Sequence, residues 1–310
     1  MRICVVVPAL NEEHSIGRVI ESIPEFVDHI VVVDDGSTDR TAQIATSLAN
    51  KDGRVELLKR QSRGGVGAAI ISGHTRAIQL GVDIVAVMAG DGQMDPKYLT
   101  LLLDKIVEGY DYAKGNRFLI EEHLSGMPKH RMLGNVVLSI LSKAASGYWN
   151  IFDHDNGYTA IRRATLQRLR LSRVSRDYNF ERDMLVQLNI LGARVADVPI
   201  ESRYPDRYSK IRLYSFIPRA SFFLIRRFFQ RIFVKYLFND VRPFGIMFLP
   251  GSLLFAWGFL YGVYLTYLRY FDPRHSSPST GTVMISVLPF FIGFQLLLFA
   301  FVLDVLEAPK

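Results

Sequence analysis

Short apolar runs alternate with helix-period stretches over the first two thirds of the chain, and two long uncharged segments close it. Residues 3–7 form a compact apolar run ended by Pro8, the pattern of a buried strand. Asn11-Glu12-Glu13 predicts a helix start with acidic residues in its first turn, and Ile16, Val19, Ile20 and Ile23 then share one helical face. Residues 30–33 predict a second strand, ended by Asp34-Asp35-Gly36-Ser37-Thr38-Asp39, with a helix through Ile44 and Leu48 after it. Residues 55–58 predict a third strand. Arg63-Gly64-Gly65-Val66-Gly67-Ala68-Ala69 is a glycine-rich loop opening a helix through Ile70, Ile78 and Leu80, and residues 84–88 predict a fourth strand. This alternation of strand and helix predicts an α/β fold with a parallel sheet covered on both faces. The polar clusters after the first, second and fourth strands should then converge at one edge.

Beyond Lys114 the pattern is less regular. Residues 111–114 predict another strand with Gly115-Asn116-Arg117 as its exit, and residues 121–130 read as a charged loop. Residues 131–145 predict a helix, 152–158 a polar, glycine-bearing stretch, 178–191 a helix, 194–199 a strand and 204–210 a basic loop. The last third differs in kind. Residues 217–238 predict a helix dense in Phe, Leu and Ile, with Arg219, Arg227, Arg231 and Lys235 at spacings of eight and four. That stripe predicts an interfacial amphipathic helix with its basic residues toward lipid phosphates. Residues 243–268 carry no charge, and neither do residues 281–303, which are interrupted only by Pro289. Each is long enough to cross a hydrocarbon core of about 30 Å. The domain division expected is residues 1–212, a juxtamembrane segment 213–242, and spans at 243–268 and 281–303.

Composition sharpens this in two ways. The formal charge is +7, with much of the excess between Arg203 and Arg242. A basic segment serves nucleic acid or an anionic membrane, and the apolar flanks decide for the membrane. Arg226, Arg227, Arg231, Lys235 and Arg242 precede the first span, so the positive-inside rule places the N-terminal domain in the cytoplasm, and two spans return the C-terminus there. Arg2 runs straight into the first strand, so no signal-peptide segment is expected. The single cysteine, Cys4, lies in that strand, which excludes an internal disulfide and a cysteine zinc site and leaves a buried structural thiol.

The chemistry centres on Val85-Ala86-Val87-Met88-Ala89-Gly90-Asp91-Gly92-Gln93-Met94-Asp95-Pro96. It reads as a buried strand whose tip delivers the carboxylate of Asp91 to a ligand at the carboxyl edge of the sheet. Two glycines admit close approach, and Asp95 caps the helix that Pro96 starts. A carboxylate and the Gln93 amide suit a hard divalent cation on a phosphate. Asp34 and Asp35 can serve a base, a ribose, a metal or a helix cap. The glycine loop at 64–67 could cradle a phosphate on a helix N-terminus, although it is neither a Walker A loop nor a dinucleotide fingerprint.

Taken together, Pro8-Ala9-Leu10-Asn11-Glu12, the Asp34–Asp39 cluster, the 64–69 loop and Asp91-Gly92-Gln93 resemble glycosyltransferase family 2 in order and spacing. Gly115-Asn116-Arg117, Asp153-His154-Asp155-Asn156-Gly157-Tyr158 and Ser209-Lys210 extend the resemblance, which covers residues 2–212 and points to the dolichyl-phosphate mannose synthase and polyprenyl-phosphate hexose transferase branch. The resemblance implies a GT-A fold, Rossmann-like with a mostly parallel sheet, binding a UDP- or GDP-linked sugar with Mg²⁺ or Mn²⁺. Pro8, Leu10, Glu12, Asp35, Asp39, Gly65, Asp91 and Asp153 would line the nucleotide-sugar site, with Asp91 and Gln93 on the metal. Arg117 and Arg131 would bind the acceptor phosphate, joined by Arg203 and Lys210. The family often has Asp-x-Asp, and its first aspartate is Ala89 here.

The expected reaction is inverting transfer of a hexose to polyprenyl or dolichyl phosphate. Such a phosphate is already ionised and needs orientation by arginine rather than a general base. Relatives that use hydroxyl acceptors would want a base at Asp153, which here is assigned a structural or sugar-contacting role. Alternatives are transfer to a lipid or glycan hydroxyl and a catalytically degenerate membrane scaffold. The expected partners are the nucleotide sugar, the lipid phosphate and the membrane, without nucleic acid, and a homo-oligomer through the membrane helices stays open.

Overall fold

The computed structural model describes residues 1–118, 129–201, 213–238, 242–271 and 278–309, with no side-chain detail for 129–137 and 213–217. The chain divides into two compact units, residues 1–228 with 309–310, and residues 229–308.

In the first unit a seven-stranded sheet is built from β1 (Ile3–Ala9), β2 (His29–Asp34), β3 (Val55–Lys59), β4 (Ile84–Val87), β5 (Tyr112–Asn116), β6 (Thr159–Arg162) and β7 (Val195–Pro199). Its order is β3-β2-β1-β4-β6-β5-β7. β1 pairs in parallel with β2 and β4, β2 with β3, and β5 with β7, whereas β6 runs antiparallel to both β4 and β5. Two successive reversals leave β4 and β5 pointing the same way. The exits of β1, β2, β4, β5 and β7, and the entry to β6, therefore share one edge.

Strand alternation splits the core into two layers. Val5, Val7, Val32 and Ile84 pack with α1 (Ile16–Ser22), α2 (Thr41–Ala49) and α4 (Leu99–Val107) on one face. Cys4, Val6, Val31, Val33 and Val85 pack with α3 (Val66–Leu80), α6 (Arg163–Arg168) and α7 (Phe180–Ile190) on the other. Burial on both faces is why these strands read as near-continuous Val and Ile runs. Cys4 is fully buried, and burial pushes its thiol up to about 12, as an inert structural thiol requires.

Three expectations need correction. The helix after β1 begins only at Ile16, with no acidic residue in its first turn. Asn11 takes a left-handed φ of 56°, and residues 11–13 instead hydrogen-bond to the turn after β2. β6 was not expected, because four residues with polar flanks give too short a period to read. The third correction concerns the basic stripe. In α8 (Leu213–Phe233), Arg219 is exposed, but Arg227 is paired with the buried Asp183 of α7. Arg231 is fully buried against Asp304, and Lys235, in the π-type turn Val234–Phe238, is 5% exposed. The exposed face of α8 carries Phe222, Ile225, Phe229 and Phe233 together with Arg219 and Arg226. Leu138, Ala145, Val186, Ala220 and Leu224 gather α5 (Lys129–Ser146), α7 and α8 around a third cluster.

The second unit is an antiparallel pair, α9 (Pro243–Phe271) and α10 (Thr280–Leu306). Both are long and apolar enough to cross a membrane, with mean hydropathy 1.7 and 2.3, and each is only 17% buried over its most apolar stretch. Small residues set their close approach. A methyl group on Gly258 would fall 2.5 Å from the Phe290 nitrogen, and one on Gly293 would strike Phe255. Ser286 donates its hydroxyl to the Gly258 carbonyl at 2.8 Å.

Candidate active site

The exits of β1 and β2 are stitched together at the shared edge. Asn11 N–H donates to Ser37 Oγ at 3.0 Å, while Asn11 Oδ1 accepts from Thr38 N–H at 2.8 Å. Glu12 N–H donates to Thr41 Oγ1 at 2.8 Å, and Glu12 Oε2 accepts from Ser15 Oγ at 2.9 Å. Asp39 accepts from Thr41 N–H, Thr41 Oγ1 and Glu13 N–H. Burial acts to raise its pKa, but these hydrogen bonds outweigh it and hold the carboxyl below its ordinary value. Pro8 is buried at this edge and Leu10 is half-buried. Asp34 is buried and caps the turn by accepting from Ser37 N–H at 3.0 Å.

Asp35 lies deeper, 2% exposed. It accepts from Gly64 N–H at 3.0 Å and Gly65 N–H at 2.8 Å, and Arg60 Nε lies 2.9 Å away. The N–H groups at 64–65 thus hold a protein carboxylate, which corrects the phosphate-cradle expectation for this loop. The first turn of α3 is closed too, because Ala68 N–H donates to the Arg176 carbonyl at 3.1 Å. The glycines serve backbone packing: a methyl on Gly65 or Gly67 would lie 2.7 Å from the carbonyl oxygen of Arg176 or Ser175.

After β4, Gly90 N–H donates to the Pro8 carbonyl at 3.0 Å, so this tip rests on the exit of β1. Asp91 is half-buried, and its Oδ1 accepts from Gln93 N–H at 3.0 Å across Gly92, whose φ is 78°. The Gln93 side chain is exposed. Asp95 caps the following turn through Lys97 N–H at 3.0 Å, with Pro96 in the first position, as expected. Ala89 N–H points at Met94 Sδ at 3.1 Å.

On the β5 side, Arg117 forks onto Asp153. Its Nε donates to Oδ2 at 2.7 Å, its Nη2 to Oδ1 at 3.0 Å, and its backbone N–H to Oδ2 at 3.2 Å. Asp153 is 1% exposed. Burial would raise its pKa, but Arg117, with Lys114 behind it, lowers it overall. Lys114, fully buried, donates to the Asn156 carbonyl. Burial lowers its pKa against the opposing pull of Asp153, Glu181, Asp155 and Asp197. Glu181, at the start of α7, has Oε1 3.3 Å from where a methyl on Gly157 would sit; the Met94 methyl is 3.5 Å from the same point. Burial lifts Glu181 to about 7, with Lys114 opposing. Lys114 and Glu181 escaped the sequence reading, since a lone lysine in a strand and a lone glutamate in a helix carry no local signal.

Arg131 falls in the first turn of α5, with its side chain outside the described detail. Arg203 and Lys210 lie outside the described residues. β7 ends at the same edge, and Glu201 just beyond it accepts from Lys97 Nζ at 3.0 Å. Among the described residues no three His, Cys, Asp or Glu side chains gather as a metal cluster.

Residues 4–170 match the family model described as glycosyl transferase family 2. The chain is 35% identical over 211 residues to the polyprenol monophosphomannose synthase of Mycolicibacterium smegmatis, covering 64% of this chain and 76% of that protein. It is 32% identical over 205 residues to the undecaprenyl-phosphate mannosyltransferase of Micrococcus luteus, covering 64% and 83%. In structure it resembles glucosyl-3-phosphoglycerate synthase of Mycobacterium tuberculosis, solved with Mn²⁺, uridine diphosphate and glucosyl-3-phosphoglycerate, with a TM-score of 0.55 and 23% identity over 74% of this chain and 79% of that one. That likeness shows the shared GT-A fold. The strand-tip site and the family match lead to one conclusion: the chain belongs to glycosyltransferase family 2 and is a glycosyltransferase.

Proposed function

We propose that the protein moves a hexose from a UDP- or GDP-linked sugar to a polyprenyl or dolichyl phosphate, with inversion, at the membrane. The observation that carries this is the Arg117–Asp153 fork. A hydroxyl acceptor would need a base at Asp153, yet that carboxylate is buried, ion-paired and depressed in pKa. A phosphate acceptor needs a fixed guanidinium, and Asp153 fixes one. Arg117 remains 30% exposed, so an edge of its side chain faces outward. The relatives named above for polyprenol and undecaprenyl phosphate support the same class.

Pro8, Leu10, Glu12 and Asp39 line the nucleotide half in this reading, with Asp35 and Gly65 as its floor. Asp91 and Gln93 meet the diphosphate, and Asp153 stands between the sugar and Arg117. Arg117, Arg131, Arg203 and Lys210 hold the acceptor phosphate. A divalent cation fits the Asp91 turn: one carboxylate at an open strand tip, its Oδ1 oriented by Gln93 N–H, suits Mg²⁺ or Mn²⁺, which draw further ligands from water and substrate phosphates. Bound there, the cation would supply charge neutralisation for the leaving diphosphate. The chain's own contribution is to hold donor and acceptor phosphates at one edge, so that a phosphate oxygen faces the anomeric carbon opposite the diphosphate. In this reading α9 and α10 span the membrane, residues 1–212 and both termini are cytoplasmic, and residues 213–242 lie at the interface.

Glu181 favours a second reading. A carboxyl that burial raises to about 7, set against Gly157, has the pKa asked of a general base for a hydroxyl acceptor. Detergent-purified protein, given polyprenyl phosphate, Mg²⁺ or Mn²⁺ and a panel of labelled UDP- and GDP-sugars, separates the two. A lipid-phosphate-linked sugar is the expected product. Its absence across the panel, with label entering a lipid or glycan hydroxyl, would overturn the first reading.

A further inference from the structure

Arg227 of α8 and Asp183 of α7 meet behind the site, in a place the proposed transfer does not use. Arg227 Nη2 donates to Asp183 Oδ2 at 2.5 Å and to the Arg173 carbonyl at 3.2 Å. The same Asp183 oxygen accepts the N–H of Ser175 at 2.7 Å, and Asp183 is fully buried. The pair therefore clips both ends of the turn at 173–175. The residues next to the clip press on the glycine loop. Arg176 supplies the carbonyl that caps α3 through Ala68, and the carbonyls of Ser175 and Arg176 occupy the space that side chains at 67 and 65 would need. The loop in turn holds Asp35 at the end of β2 through Gly64 and Gly65. An unbroken series of hydrogen bonds and close packing runs from α8 to the nucleotide half of the edge.

We propose that Arg227 and Asp183 are positioning residues for the donor nucleotide: by clamping residues 173–175 they fix the glycine loop and Asp35 beneath it. The inference rests on the donor binding at that edge. It also gives α8 a second task. Its exposed face carries Phe222, Ile225, Phe229 and Phe233, and the opposite face carries the clamp. A helix with aromatics suited to a lipid interface is thereby tied to the donor pocket.

The test uses the full chain in detergent: wild type, Arg227→Gln, Gly67→Ala, and Arg219→Gln on the exposed side of the same helix. Two quantities are measured on folded, monodisperse protein: affinity for UDP and GDP with Mn²⁺, and KM for donor and for lipid phosphate. Arg227→Gln should weaken nucleotide binding and raise donor KM together, by roughly 5- to 150-fold, the range ordinary for coupling between sites. Acceptor KM should move less than about twofold, because the clamp does not touch the Arg117 side, and Arg219→Gln should change neither. Gly67→Ala keeps both Arg227 and Asp183 and instead forces the loop and residues 175–176 apart, so it should reproduce the donor defect even where Arg227→Gln fails to fold. Unchanged nucleotide affinity in either variant, or equal losses for donor and acceptor, would overturn the proposal. Wild-type protein that binds nucleotide but glycosylates no lipid phosphate would sink the reaction assigned above, while the binding comparison still decides the clamp.

Discussion

Asp153 holds Arg117 by a two-pronged ion pair, with the carboxylate 1% exposed and the guanidinium 30% exposed. The asymmetry sets the roles. The buried partner fixes direction, and the half-buried one presents charge to whatever reaches the sheet edge. Lysine at 117 would keep the charge and lose the fork. Arg117→Lys should therefore cost about 1.5–3 kcal/mol of transition-state binding, the worth of a charge-assisted hydrogen bond, or roughly 10- to 150-fold in kcat/KM for the lipid phosphate. Steady-state kinetics with the lipid phosphate varied checks this, and a loss below about threefold would remove Arg117 from the acceptor site.

The same pair predicts a pH effect on stability. Asp153 has a lowered folded pKa, so its stabilisation is complete above the unfolded carboxyl value of about 3.9 and is lost as pH falls through the folded value. Wild type should lose melting temperature steeply below about pH 4, and Asp153→Asn, weaker at neutral pH, should show a flatter acid limb. Parallel limbs in the two proteins would mean that Asp153 carries no such linkage.

Glu181 runs the opposite way. Its folded pKa, about 7, lies above the unfolded value, so the proton it keeps stabilises the fold at low pH and that contribution declines as pH rises toward 7. Glu181→Gln should remove this decline between about pH 5 and 7. Its kinetics separate the two acceptor readings. With a phosphate acceptor, kcat should fall less than about tenfold; a general base would cost about 10²- to 10⁴-fold.

Asp91→Ala should abolish turnover, and Gln93→Ala should weaken the response to divalent cation by a smaller factor, because alanine keeps the backbone N–H that orients Asp91 and removes only the side-chain amide. Turnover against Mg²⁺ and Mn²⁺ concentration measures both effects. Near-wild-type activity in Asp91→Ala would show that the strand tip does not hold the diphosphate.

These sites differ in how openly the chain announces them. β1, β2 and β4 were legible because buried parallel strands are written as apolar runs, although β1 continues through Pro8 to Ala9 rather than ending at it. The shared edge of the tips after β1, β2 and β4 followed from the parallel alternation, whereas the exit of β5 at Arg117 reaches that edge through the two reversals at β6. Pairings did not. Lys114 and Glu181 lie far apart in the chain and come together only through the sheet and α7. The 64–67 loop has the composition of a phosphate cradle, and only the carbonyls of residues 175 and 176 reveal that it is spaced for backbone contact. In α8, spacing placed Arg227, Arg231 and Lys235 on one stripe, but periodicity cannot say whether that stripe is buried or exposed. The buried carboxylates Asp183 and Asp304 decide it, since each draws an arginine inward.

Arg231 and Asp304 give that correction an energetic test. Arg231 is fully buried, its Nη1 and Nη2 donating to Asp304 at 2.6 and 2.9 Å, and Tyr236 donates its hydroxyl to the same carboxylate at 2.6 Å. Lys235 stands beside them, and burial, with Arg231 adding, lowers its ammonium to about 8. Removing one partner leaves the other charge buried without compensation, which costs about 3–5 kcal/mol, whereas replacing both by apolar residues of like volume is often neutral or better. Asp304→Ala should therefore lower the detergent melting temperature sharply, and Arg231→Met combined with Asp304→Leu should recover most of the loss. Were the basic stripe directed at lipid phosphates, the outcome would reverse. Asp304→Ala would then be mild, and the double variant would lose affinity for vesicles containing anionic lipid without gaining stability.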